Sequence, residues 1–120
     1  MWRRSLVYCA ASVVYGVLAA GVVAQSPTGQ VDFARQILPI LSNKCFTCHG
    51  PDTRKKDLLR LDSYGGATRD LGGYRAIDPQ NLASSQILAR IHDAEDPMPP
   101  AKADKQLTEA ERGLLSRWVA

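Results

Sequence analysis

The residues of this chain best suited to chemistry stand in one short run, Cys45-Phe46-Thr47-Cys48-His49-Gly50-Pro51. Two thiols three positions apart, with an imidazole directly after the second, fit three chemistries. They can form a redox dithiol, part of a zinc shell, or the point at which a haem is bonded to the backbone. On a helical turn, side chains at i and i+3 project from one face. That spacing lets each thiol reach one of the two vinyl groups on a haem edge, while His49 offers an imidazole nitrogen to the iron. Cys-x-x-Cys-His is the attachment string of c-type haem.

The competing readings ask for surroundings that this sequence does not supply. A thioredoxin-like dithiol follows a strand within a βαβ unit, and no such pattern precedes Cys45. A zinc shell could draw on Cys45, Cys48, His49 and His92. Three of those four ligands fall within five residues, which strains a tetrahedral arrangement, and His92 reads as a solvated residue beside Asp93. The haem reading is preferred on these grounds.

A haem iron takes a second axial ligand from the opposite face, and Met98 is the candidate. It lies in Glu95-Asp96-Pro97-Met98-Pro99-Pro100, where three prolines within four residues exclude a helix or sheet interior. A stiff loop loses little entropy when it closes over a ring. The chain has two methionines, and Met1 belongs to the leader. The competing reading of Met98 is a gap-filling core residue. Met/His ligation is the usual electron-transfer pair and raises the reduction potential.

Helices must position these groups. From Asp32, a plausible N-cap, the apolar residues Phe33, Ile37, Ile40, Leu41, Cys45 and Cys48 recur at helical spacing. Pro39 interrupts them and predicts a kink or break near Leu38, with a second helical turn from Leu41 to His49. Residues 50–83 read as loops punctuated by Gly65-Gly66 and Gly72-Gly73, and Leu59-Arg60-Leu61-Asp62 alternates like a very short strand. Ser84 or Ser85 caps a helix that faces inward through Ile87, Leu88 and Ile91. Thr108-Glu109-Ala110-Glu111 is a capping box, opening a helix with Leu114, Leu115, Trp118 and Val119 on one side. Trp118 is expected to lie largely buried against Phe33 or Ile37. The chain stops at Ala120, two residues after Trp118, so that helix either frays at a free end or continues in a longer protein.

Composition sets the compartment. The chain has 120 residues, room for one small domain. Arg3 and Arg4 precede an apolar run from Leu6 to Val23, and Ala24 precedes a polar stretch, the pattern of a secretory signal peptide over 1–24. The alternative is an uncleaved membrane anchor, since the run is about long enough to span a bilayer. Residues 25–30 are a linker and 31–120 the domain. Cys9 leaves with the signal, so Cys45 and Cys48 are the thiols of the exported part, and a disulfide between them would close too small a loop to act as a staple. Of 15 basic residues two lie in the signal; the remaining 13 face 12 acidic ones. That near-neutral balance excludes a nucleic-acid surface, and the basic cluster Arg54-Lys55-Lys56 reads as a solvated loop that could at most steer a partner.

The mature chain resembles the planctomycete-type cytochrome c domain, a relative of the small monohaem cytochromes c. The matching pieces are LPILSNKCFTCHGP, LRLDS, the Gly-Gly pairs, SSQILARI, the DPMPP loop and LTEAERGLLSRW, spanning 31–119. The resemblance implies a mostly α, cytochrome c-like fold. Three or more helices would surround one covalent haem c, with Gly-rich loops between them. It implies thioether bonds at Cys45 and Cys48, His49 as proximal ligand and Met98 as distal ligand. The chain departs from the family where a Pro-Gly turn often stands before the SSQILARI-like helix; here Asp78-Pro79-Gln80-Asn81 occurs. The expected protein is an electron carrier and not an enzyme, exported to the periplasm or anchored facing it, with redox proteins as partners. The alternative is an electron-entry or haem-sensing domain of a larger oxidoreductase.

Overall fold

The computed structural model describes residues 29–54 and 59–120. The signal segment 1–24, the linker up to residue 28, and Lys55 and Lys56 of the basic cluster lie outside the described residues. Within them the protein is helical, with no strand. No helix among these residues is long and apolar enough to cross a membrane.

The chain enters at Asp32, whose side chain accepts from the Arg35 amide as an N-cap. A widened turn, Phe33–Ile37, follows, in which the Leu38 N–H donates to the Phe33 carbonyl five residues back. The expected break at Pro39 takes this form. Proline has no N–H to give to the preceding turn, so the ladder loosens ahead of it. Pro39 itself stands in the first turn of helix α1, Leu38–Lys44, which continues directly from that widened turn. A second interruption falls at Cys45 (φ −122°, ψ −37°), which separates α1 from the single turn α2, Phe46–His49. The sequence places that junction before Leu41; it lies four residues later, because Cys45 leaves helical geometry where α1 ends.

The Gly-rich middle is more ordered than its composition suggests. Gly65 and Gly66 are not in a loop but within α3, Tyr64–Thr68, whose N-cap Ser63 accepts from the Gly66 amide. Gly72 and Gly73 do need glycine: their φ values of 92° and 97° lie in the left-handed region. Both amides donate to Oδ1 of Asp70, at 2.9 and 2.8 Å. The Asp78-Pro79-Gln80-Asn81 segment closes by an Asx turn, with Asp78 Oδ1 accepting from the Gln80 amide at 3.0 Å. A 3-10 turn, Leu82–Ser84, then leads into α4, Gln86–His92. Ser85 holds the N-cap position of α4 without capping it by its side chain. Its buried hydroxyl instead accepts from the Asp78 amide at 2.9 Å, tying the loop to the helix.

The last helix, α5, Glu109–Val119, opens with the predicted capping box, Thr108 and Glu111 exchanging hydrogen bonds. It packs on the entry turn Phe33–Ile37 and on α4. The core is formed by Ile37, Ile40, Leu41, Ile87, Ile91, Leu107, Leu115 and Val119. Trp118 meets Phe33 as expected, ring centroids 5.5 Å apart. Trp118 keeps only a minor part of its surface in solvent, while Phe33 itself is 44% exposed.

Lys44, at the end of α1, joins the first and last helices. Its Nζ donates to Oε2 of Glu111 at 2.5 Å and to the Gln106 carbonyl at 2.7 Å. Burial pushes the Glu111 carboxyl up, but the hydrogen bonds from Lys44 and Thr108 outweigh it and hold the group below its usual range. A carboxyl depressed in the folded state stabilises fully above its unfolded pKa of about 4.3, and that stability is lost as pH falls through the folded value. Glu111→Gln, which keeps an acceptor for the Thr108 amide, should therefore be less stable than wild type near neutrality. The difference should shrink as pH falls through the acid range. Urea midpoints of both proteins from pH 7 to pH 3 check this; a constant difference would mean that the charge of Glu111 contributes nothing.

Candidate haem site

One cavity of about 980 Å³ gathers the residues singled out by spacing. Cys45, Cys48 and His49 lie on one part of its lining and Met98 on another. Its size is at the upper end of the range for small-molecule and cofactor sites. Leu59, Leu61, Ile87, Ile91 and Leu115 supply apolar wall, and Tyr74, Gln86 and Arg90 add polar groups. A second groove of about 490 Å³ runs past Phe33, Tyr64, Leu82 and Trp118 and contains none of the motif residues.

The thiols are placed by the α1–α2 junction. The Cys45 amide still donates to Leu41 O at 2.9 Å, while the Cys45 carbonyl accepts from Cys48 N at 3.2 Å and His49 N at 2.8 Å. One tight turn therefore presents both sulfurs and the imidazole. Neither cysteine is in a disulfide; Cys45 is half-buried and Cys48 exposed. Burial pushes the Cys45 thiol up to about 11, opposed by Lys44 and reinforced by Cys48 and Glu111. A redox dithiol draws its reactivity from a depressed pKa, so this environment speaks against that reading. The zinc reading loses its fourth ligand: His92 is on the surface, its Nε2 within 2.9 Å of Ser116 Oγ. Among the described residues no three His, Cys, Asp or Glu side chains converge as a metal shell.

His49 is oriented by the segment that the sequence suggested as a strand. Leu59–Asp62 forms no strand; it binds His49 at two points instead. The Leu61 amide donates to the His49 carbonyl at 2.8 Å, and His49 Nδ1 lies 2.8 Å from the Leu59 carbonyl oxygen. A carbonyl can only accept, so Nδ1 carries the proton and the Nε2 lone pair is left for a metal. Spacing did not reveal Leu59 as a partner, because a backbone carbonyl leaves no side-chain signature.

Gly50 is the other residue that the spacing argument passed over. It is buried, and a Cβ built on it would lie 2.3 Å from the Phe46 carbonyl oxygen and 2.7 Å from Phe46 Cβ. These belong to the turn that holds the cysteines, so a side chain here must push that turn aside. Overpacking typically costs about 1–3 kcal/mol. Gly50→Ala should lower the urea midpoint by that order and reduce the yield of haem-loaded protein; a variant equal to wild type in both would show that the turn yields freely.

Met98 enters the cavity from its proline loop. Its amide donates to the Arg90 carbonyl at 3.0 Å, which fixes the loop against the last turn of α4. Met98 is half-buried, and Pro99 beside it is buried.

Residues 45–102 match the family model described as Planctomycete cytochrome C. The matched segment holds Cys45, Cys48, His49 and Met98 and is narrower than the 31–119 span of the resemblance, leaving out α1 and α5. No curated protein and no solved structure matches the chain.

Proposed function

Residues 45–102 are a planctomycete-type cytochrome c domain, of a family whose members bind haem and transfer electrons, and from that premise we propose that the chain is an exported monohaem carrier of single electrons. The observation that carries the proposal is the cavity itself. Side chains far apart in sequence, Cys45, Cys48 and His49 at the α1–α2 junction and Met98 on the proline loop, line one space with apolar walls.

The residues fit a haem c. Cys45 and Cys48 would hold it by thioether bonds, with His49 Nε2 and Met98 Sδ as the axial ligands. A bound haem supplies an iron that alternates between ferric and ferrous states, one electron at a time. The protein's part is positional. The Leu59 carbonyl keeps the His49 tautomer with Nε2 free, the Arg90 carbonyl holds the Met98 backbone, and Leu59, Leu61, Ile87, Ile91 and Leu115 exclude water. The role needs no general base, nucleophile or substrate pocket. The basic n-region and apolar run before residue 25 support export, to the periplasm or to a membrane anchor facing it, with redox proteins as donor and acceptor.

Visible spectroscopy of protein produced with its leader tests the reading. The expected result is a c-type spectrum with the weak far-red band of a thioether–ferric bond. With both axial positions filled, the ferrous protein should bind carbon monoxide weakly near neutral pH. Met98→Ala should lose the far-red band and bind carbon monoxide readily. Colourless wild-type protein would refute the haem. A coloured wild type that lacks the band and takes carbon monoxide as readily as Met98→Ala would return Met98 to a packing role.

A further inference from the structure

We infer that Arg90 is a positioning residue for Met98, and that its clasp with Asp96 sets the fraction of molecules in which the Met98 loop is closed. The inference rests on Met98 being the second axial ligand. After α4 the chain turns back through residues 93–98 and returns to the helix at Arg90. Two features hold this return. The Met98 amide donates to the Arg90 carbonyl at 3.0 Å, a tie that any residue at position 90 would keep. The guanidinium, by contrast, is specific. Its Nη1 donates to the Asp96 carbonyl at 3.0 Å and pairs with the Asp96 carboxylate.

The rest of the turn is closed upon itself. Asp93 Oδ1 accepts from the Glu95 amide at 2.8 Å and from the Asp96 amide at 3.0 Å. Residues 93–96 therefore form a compact cap, and Arg90 is the side chain that bonds this cap to the helix beneath Met98. The prolines at 97, 99 and 100 do something different. They limit the conformations open to the loop but make no bond from it to α4. Arg90 also lines the cavity that Met98 lines, so its position is coupled to both sides of the loop.

Arginine suits this task better than lysine. Its rigid guanidinium plane holds the one nitrogen Nη1 against both the Asp96 carbonyl and carboxylate, whereas an ammonium is a point charge on a flexible stem. The pair is solvent-exposed, Arg90 at 38% and Asp96 at 70% of the side chain. Exposed ion pairs add little to global stability. Their effect registers in local opening, where a small change shifts the population of a loop directly.

The test uses haem-loaded full chain carrying Arg90→Lys, Arg90→Ala or Asp96→Asn, read by the far-red band, by carbon monoxide binding to the ferrous form, and by global denaturation. Apparent affinity for carbon monoxide reports the open fraction. Arg90→Ala and Asp96→Asn should both weaken the band and tighten carbon monoxide binding roughly three- to tenfold. Arg90→Lys should fall between them and wild type. The global denaturation midpoint should hardly move. In a Met98→Ala background, Arg90→Ala should have no further effect on carbon monoxide binding. Unchanged band and binding in Arg90→Ala and Asp96→Asn, with a normal response to Met98→Ala, would overturn the clasp alone. A shift in the Arg90 variants with Asp96→Asn silent would also overturn it, since Arg90 would then act on the haem carboxylates directly. A wild type without the band, indifferent to Met98→Ala, would overturn the axial assignment and the clasp with it.

Discussion

The double variant Cys45→Ser, Cys48→Ser should carry no covalent haem, and without it the chain should lose its cooperative fold. Serine nearly matches cysteine in size, so the substitutions disturb packing little; what they remove is the pair of sulfurs on the α1–α2 turn. The consequence for stability follows from the cavity. A space of about 980 Å³ walled in part by leucines and isoleucines is not retained empty in a domain whose core cluster, among the described residues, numbers eight buried side chains. With nothing bonded there, α4 and the Met98 loop have little to pack against on that side. Each single variant should keep one thioether and an intermediate stability. Acid extraction of the denatured double variant, followed by its visible spectrum, checks attachment, and far-UV circular dichroism against urea checks the fold. Haem still bonded to the double variant would refute the cysteine assignment. A cooperative transition in haem-free protein would show that the haem is not part of the core. Chain made in the cytoplasm without its leader should behave as the double variant does.

The contrast between what spacing revealed and what it missed has a physical basis. Cys45, Cys48, His49 and Met98 were legible as candidates because their side-chain types can carry such chemistry and are rare in this sequence. The capping box at Thr108 and Glu111 was legible because a side chain and an amide three residues apart satisfy each other locally. Backbone partners were not legible. The Leu59 carbonyl orients His49 and the Arg90 carbonyl holds Met98, yet any residue at either position offers the same oxygen. The α3 turn was missed because Gly65-Gly66 reads as a loop by propensity; Ser63 as N-cap and the packing of buried Ala67 override that preference. The π-turn before Pro39 lies between the two cases, since the proline announces a disturbance but not the form that it takes. Lys44 with Glu111 could not be paired from sequence, because the attraction depends on α1 and α5 first being brought together by their apolar faces.

Leu115→Ala should be the most damaging single truncation in the last helix, and more damaging than Trp118→Ala. From sequence alone the tryptophan is the natural choice, as the largest apolar side chain of α5, with an expected loss of about 3–5 kcal/mol on truncation to alanine. The structure reverses the order. Leu115 is fully buried at 0% exposure, belongs to the core cluster, and also forms part of the cavity wall. Trp118 is partly buried against an exposed Phe33, and a ring pair of that kind adds about 0.5–1.5 kcal/mol beyond the area it covers. Truncating a fully buried leucine costs about 2–5 kcal/mol, from lost transfer energy and from the cavity left behind. The upper part of that range applies where surrounding atoms cannot collapse, and a rigid ring facing Leu115 would prevent collapse on one side. Against a total stability of about 5–15 kcal/mol, such a loss is a large fraction. The same truncation would admit water beside the haem, which favours the more highly charged ferric state, so the reduction potential should fall. Urea unfolding of haem-loaded Leu115→Ala and Trp118→Ala, with a redox titration of each, checks both points. If Trp118→Ala proves the more costly, and Leu115→Ala leaves the potential unchanged, α5 contributes to the domain through its aromatic edge and not through the cavity wall.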